Sequence, residues 1–243
     1  MMNPMFNRKQ TYEVCLRLVM PLLAPPVFFA SILYASDMKT SFPFKQGETI
    51  HYDIKKMGVR AGQATLVFNG PQEREGQKML LVTFTAKGFQ FFDEEKIYLD
   101  PKTFYPVVVE RNIDMFGKKE KITEAYSKGL VKILKDEKDN HTEQVLKKDA
   151  RIDNIYGFIY RYRAQGKFHI GEQHKIHLPT QDVTVKLVGQ KELDIAGQKY
   201  DSFYVEGKPK KIKLWFANNP EKLPLRIDGA LMGKTTMVVR KQK

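Results

Sequence analysis

Three of the five histidines, His169, His174 and His177, fall within nine residues, and no other stretch gathers side chains suited to a metal. A strand there sets odd and even positions on opposite faces. His174 and His177 then point apart and could share an ion only across a bulge. A structural zinc site needs a tetrad, commonly with thiolates, and the single cysteine is Cys15 near the N-terminus. No metal site and no cofactor are expected.

Nucleophilic chemistry finds no better footing. Residues 36–243 carry Ser36, Ser41, Ser127 and Ser202, and none lies in a G-x-S-x-G elbow. Glycoside hydrolysis needs two converging carboxylates, whereas Asp93-Glu94-Glu95 reads as a solvated charge run. Gly229–Gly233 reads as a join between strands rather than a phosphate-binding glycine loop. The chain is expected not to be an enzyme.

The remaining chemical signal is charge. With 41 Lys and Arg against 28 Asp and Glu, the formal net charge is +13. Lysines gather at Lys118, Lys119 and Lys121, at Lys147 and Lys148, and at Lys208, Lys210, Lys211 and Lys213. The last four, with Arg161 and Arg163, are the candidates for contact with an anion. Such charge speeds encounters with anionic surfaces, and lysine on edge strands also deters unwanted pairing.

The elements that must position these residues read as short strands. In Met79–Lys87, Leu80, Val82, Phe84 and Ala86 share one face, with Thr83, Thr85 and Lys87 on the other. Gln63–Phe68 alternates likewise, and Pro106–Asp114 puts Val107, Val109, Arg111 and Ile113 together. This period of two marks half-buried strands. Further strands are expected around 142–148, 173–179, 182–195, 198–207, 211–217, 224–232 and 235–240. Phe116-Gly117-Lys118 and Ser127-Lys128-Gly129 read as hairpins, and Asn69-Gly70-Pro71 with Glu75-Gly76-Gln77 as the two ends of one loop. One segment departs from the pattern. Ile155, Tyr156, Ile159 and Tyr160 recur at helical spacing within Asp153–Gln165, with Ile152 one turn earlier. Asp153 is the expected cap and Gly166 the expected stop. Gly157 costs such a helix about 1 kcal/mol relative to alanine. The fold class is therefore all-β and mainly antiparallel: a curved sheet, or a partly open barrel or sandwich, with one short amphipathic helix near 152–165 lying on the sheet or plugging one end.

The N-terminus has its own organisation. Residues 1–17 carry Arg8, Lys9 and Arg17 against Glu13, residues 18–34 carry no charge, and Ala35-Ser36-Asp37 opens a polar stretch. This is the layout of a secretory signal peptide over residues 1–35, cut near Ala35. The alternative is an uncleaved inner-membrane anchor, but Pro21, Pro25 and Pro26 interrupt the apolar run and would break a spanning helix. Cleavage removes three basic residues and one acidic residue, leaving +11 and no cysteine on a single β-rich domain of residues 36–243.

Several motifs look familiar in their order and spacing. Gly47-Glu48-Thr49-Ile50-His51-Tyr52-Asp53 leads to Gly58-Val59-Arg60-Ala61-Gly62-Gln63-Ala64. Phe92-Asp93 and Asp100-Pro101 precede Tyr105-Pro106, and Ile159-Tyr160-Arg161-Tyr162-Arg163 follows. Trp215-Phe216 comes before Leu223-Pro224-Leu225-Arg226-Ile227. From about residue 42 to 240 the chain resembles the exported bacterial proteins grouped as domain of unknown function 3108 (DUF3108), although Ala217 stands where that pattern has serine. The resemblance implies an exported, mainly β protein with no established activity, so no site residue is carried over from it.

These readings converge on a non-enzymatic periplasmic or cell-envelope protein. The expected partner is an envelope lipid, lipopolysaccharide, an acidic polysaccharide or an envelope protein, and not nucleic acid, since an exported chain does not meet it. An apolar groove in the curved sheet would be lined by Phe68, Phe84 and Phe203. The alternatives are an envelope-assembly scaffold, acting by strand pairing or its basic face, and an unrecognised hydrolase with a perturbed carboxylate in a cleft.

Overall fold

The computed structural model describes residues 42–138, 140–209, 212–229 and 235–240. The segment read as a signal peptide, and Lys210 and Lys211, lie outside them. Alternation of apolar and polar residues drives the chain into an antiparallel meander: β1 (Glu48–Lys56), β2 (Val59–Arg74), β3 (Gln77–Gly88), β4 (Phe91–Leu99), β5 (Pro106–Met115), β6 (Lys118–Ser127), β7 (Leu130–Glu137) and β8 (Asn140–Lys147). Helix α1 (Ile155–Gln165) follows. A second meander comprises β9 (Gln173–His177), β10 (Asp182–Ile195), β11 (Gln198–Lys208), β12 (Lys213–Ala217), β13 (Pro224–Asp228) and β14 (Thr235–Val239). β14 pairs with β1, which joins both meanders into one sheet with β8 and β9 at its edges. The segment between β8 and α1 bridges to the β9 edge at Ile152–His177, and the Asp153 amide donates to the His177 carbonyl at 2.7 Å.

Tight hairpins set the register. Met57 and Gly58 (φ 53° and 83°) and Phe116 and Gly117 (φ 55° and 80°) take the left-handed angles of two-residue hairpin turns. β2 is longer than its apolar pattern suggested, because it runs through Asn69-Gly70-Pro71 instead of ending there. A bulge at Asn69, between Phe68 and Gly70, takes up one residue, and Gly70 pairs with Leu81. β1 stops pairing at Phe68, so Pro71 sits where β2 has one neighbour and loses no ladder bond.

The helix differs from the amphipathic one expected. Tyr156 to Tyr160, Tyr162 and Arg163 are all buried, which covers the whole circumference. Tyr156 stacks on Phe84 of β3 at 4.2 Å between ring centroids, Tyr160 packs against Phe44 and Phe68, and Tyr162 meets Phe216 of β12 at 5.4 Å. Contacts from both meanders mean that the sheet curves around α1. The groove expected along Phe68, Phe84 and Phe203 is therefore closed: all three are buried core. Gly157 is explained by proximity, since a β-carbon there would lie 3.0 Å from Leu99 and 3.6 Å from the Phe104 carbonyl. The cap is Asn154, one residue beyond the expected Asp153, and its side chain accepts from the amides of Tyr156 and Gly157 at 2.9 and 3.2 Å.

A smaller cluster forms on the outer face. β10 bulges between Leu187 and Gly189, and beyond it Leu193 and Ile195 pack with Tyr204, Trp215, Ala217 and Leu225. Trp215 thus faces away from Leu214 and Phe216 and is still covered.

Gly62 tests the sheet's tightness. A β-carbon there would lie 2.3 Å from the Lys87 carbonyl oxygen of β3. Gly62→Ala is expected to cost about 2 kcal/mol or more in urea unfolding, as overpacking against rigid backbone does. Gly189→Ala, which meets nothing within 4 Å, is expected to stay within about 0.5 kcal/mol of wild type. Equal effects would refute this account of the β2–β3 contact.

Candidate functional site

Parity along β4 puts Asp93, Glu95, Ile97 and Leu99 inward and Glu94 and Lys96 outward. The acidic run is therefore not a solvated edge: Asp93 and Glu95 are 1% and 8% exposed. Opposite them on β5, Arg111 shares the inward face with Val109 and Ile113. Its Nε and Nη2 donate to the two oxygens of Asp93 at 2.8 and 2.6 Å. Glu95 Oε1 accepts from Asn154 Nδ2 at 2.5 Å, and its Oε2 lies 4.0 Å from Arg111 Nε. The side chain that caps α1 is thus held by a carboxyl from the sheet. Tyr126 donates to Glu124 on β6, and Arg161 pairs with Asp153 while its guanidinium lies 4.0 Å from the centre of the Tyr105 ring.

Burial dominates the titration of this cluster. It pushes Glu95 up to about 7, opposed by the positive charge of Arg111 and the hydrogen bond from Asn154, and reinforced by the negative charge of Asp93 and Glu124. Glu124 and Asp153 are raised for the same leading reason. Arg111 is raised above the ordinary guanidinium value, chiefly by its hydrogen bonds to Asp93.

A second polar arrangement lies at the C-terminal end of α1. Arg163 is buried and forks onto Glu48 at the start of β1, with Nη1–Oε1 2.6 Å and Nη2–Oε2 2.9 Å. It also donates to the Glu221 carbonyl at 2.9 Å and lies over the Phe44 ring. This pair forms one wall of a cleft of about 720 Å³. Phe42, Phe44, Phe168 and Pro220 give the cleft apolar surface, Lys45 and Lys222 supply cations, and Glu221 adds one carboxylate at its rim. The Lys222 ammonium sits 4.5 Å from the centre of the Phe203 ring and 5.2 Å from that of Phe168, and burial lowers its pKa. It makes no ion pair among the described residues.

The residues singled out for anion contact do not converge. Arg161 and Arg163 are committed to Asp153 and Glu48 inside the protein. Lys208 is exposed at the end of β11, and Lys213 sits in register between Glu206 and Asp228. The histidines also stay apart. His174 pairs with Glu172 at 2.9 Å against α1, whereas His177 faces the other way, 3.1 Å from Asp182. Sequence reasoning missed Asp93, Glu95 and Lys222. Parity with Ile97 and Leu99 could have found the first two, and Arg111 was already visible on an otherwise apolar face. Lys222 lies between strands, outside any periodic pattern.

The chain is thus an all-antiparallel sheet filled by a helix, with a buried carboxyl–guanidinium cluster and a cleft that carries two lysines on apolar surface. The family model described as "Protein of unknown function (DUF3108)" matches residues 49–239. The chain belongs to that family. No curated protein and no solved structure matches it.

The raised carboxyls predict a pH dependence. A carboxyl at about 7 in the fold and near 4.5 when unfolded binds more protons folded, so its contribution is greatest at low pH and is lost as pH rises through that interval. Glu124 and Asp153 act in the same direction. Asp100, Glu172 and Asp182, whose pKa values are lowered, lose their contribution only on further acidification. Stability is therefore expected to fall from about pH 5 to about pH 8, with Glu95 accounting for on the order of 3 kcal/mol. Urea unfolding of Glu95→Gln is expected to show a flatter profile. An unchanged slope in that variant would contradict the assignment.

Proposed function

We propose that this is a non-enzymatic, exported binding protein of the cell envelope, and that the cleft at the C-terminal end of α1 takes an amphipathic anion of lipid-like character. The observation that carries the reading is Lys222: a partly buried ammonium on aromatic rings, beside apolar surface, in a cleft of a size that suits small molecules. An acyl or aromatic arm fits Phe42, Phe44 and Phe168, and an anionic group fits Lys222 and Lys45. Since α1 fills the sheet, this reading places the ligand in the cleft rather than inside the curve. The layout of residues 1–35 and the positive net charge support export and an anionic partner.

The hydrolase alternative draws on Glu95, the carboxyl raised to about 7. That group is buried, and its oxygens face Asn154 and Arg111. This geometry suits holding the helix cap better than meeting a substrate.

Titration with a dansyl-labelled fatty acid tests the reading. Saturable uptake is expected, weakened roughly tenfold in Lys222→Gln by loss of one charge-assisted contact and unaffected in Lys213→Gln. Absence of saturable uptake by the wild type, or equal affinity of Lys222→Gln and wild type, would reject it.

A further inference from the structure

The four most exposed large apolar side chains among the described residues are Met57, Phe89, Val59 and Phe116, at 87%, 85%, 71% and 71%. All lie at one end of the sheet. The meander turns β1–β2, β3–β4 and β5–β6 emerge there, and tips two strands apart are spaced by roughly 10 Å. The Phe116 amide donates to the Gln90 carbonyl at 2.9 Å, which ties the second and third tips together. The opposite end is different in kind. Its meander turns carry Glu75-Gly76 and Lys128-Gly129, and Phe104 in the β4–β5 connection is buried.

Neither core nor turn asks for these apolar groups. Met57 and Phe116 take left-handed angles at the first central turn position, where asparagine, aspartate or glycine is favoured. Glu75 and Ala196 take the same angles in the β2–β3 and β10–β11 turns, so the turn geometry itself does not call for an apolar side chain. Around them stand five exposed lysines, Lys55, Lys56, Lys87, Lys118 and Lys119. None is in an ion pair among the described residues. Of the acids nearby, Asp53 is paired with Arg60 and Arg240, and Asp114 accepts from the Gly117 amide.

We infer that this end of the sheet docks on an anionic lipid bilayer, with Phe89, Phe116 and Met57 entering the headgroup region and the lysines facing lipid phosphates. Aromatic side chains settle at membrane interfaces, and basic residues beside them add attraction to anionic lipid. Apolar tips ringed by exposed lysines complement a bilayer that carries both acyl chains and lipid phosphates. The inference stands apart from the cleft, which begins at the other end of β1.

The test uses the full chain with Cys15→Ser and one new cysteine carrying an environment-sensitive nitrobenzoxadiazole dye. Dye at Phe89→Cys or Phe116→Cys is expected to shift to the blue with phosphatidylcholine–phosphatidylglycerol vesicles and to be quenched by spin-labelled lipid. Dye at Glu75→Cys is expected to do neither. Pure phosphatidylcholine, or about 1 M salt, where screening acts within about 3 Å, should weaken the response. Phe116→Ser in the Phe89→Cys protein should reduce vesicle partitioning on the order of tenfold. An equal response at Glu75→Cys would overturn the proposal, because another segment would then be holding the chain to lipid. Silence at both tips would also overturn it, as would burial of the tip dyes without vesicles, the sign of self-association.

Discussion

A helix enclosed on every side is the constraint on which the rest of this structure depends. At its buried start water cannot satisfy the free amides, so the protein must. At the start of α1 the Asn154 side chain takes two amides and is itself held by Glu95, which stands beside Asp93 and Arg111. Toward the other end Arg163 forks onto Glu48 and the Glu221 carbonyl. The first set comes from β4 and β5, and the second from β1 and the β12–β13 connection. The helix therefore fixes both meanders to itself by polar contacts, while its aromatic rings supply the apolar contact between them.

Buried ion pairs of this kind are weak sources of net stability, because desolvation offsets their attraction. A one-residue slide of the helix is opposed by Gly157, because it would bring Tyr156 or Phe158 to a place where even a β-carbon lies 3.0 Å from Leu99. Asn154 on Glu95 and Arg163 on Glu48 each admit one helix position. Removing one partner leaves a buried charge alone, which is strongly unfavourable.

Much of the fold was legible in the sequence because strand parity is a local signal. Met79–Lys87 and Pro106–Asp114 fall in β3 and β5, and the helix falls where Ile155, Tyr156, Ile159 and Tyr160 announced it. What parity cannot convey is enclosure. Arg161 and Arg163 looked like outward charge on an amphipathic helix, and only the curvature of the sheet shows that they meet Asp153 and Glu48. Asp93-Glu94-Glu95 was misread for a related reason. A run of three acids suggests solvent, yet Glu94 alone points out, and its neighbours share parity with Ile97 and Leu99. The cleft was not legible, because Lys222 and Phe42 sit in connections whose positions come from long-range packing.

The two proposed surfaces lie at opposite ends of β1. Glu48, on the cleft wall, begins that strand, and Met57 directly follows its last residue. Nine residues of strand span roughly 30 Å, about the thickness of a bilayer core. A protein docked by Met57, Phe89 and Phe116 would thus hold its cleft well away from the lipid surface. That geometry does not suit a carrier that takes its cargo directly from the bilayer on which it sits. It suits a tether that keeps a binding cleft facing outward, toward a second surface or a soluble ligand. The cleft touches α1 only through its last turn, at Arg163 and Gly166, and the tips lie a full strand length away, so docking and binding are expected to be energetically independent.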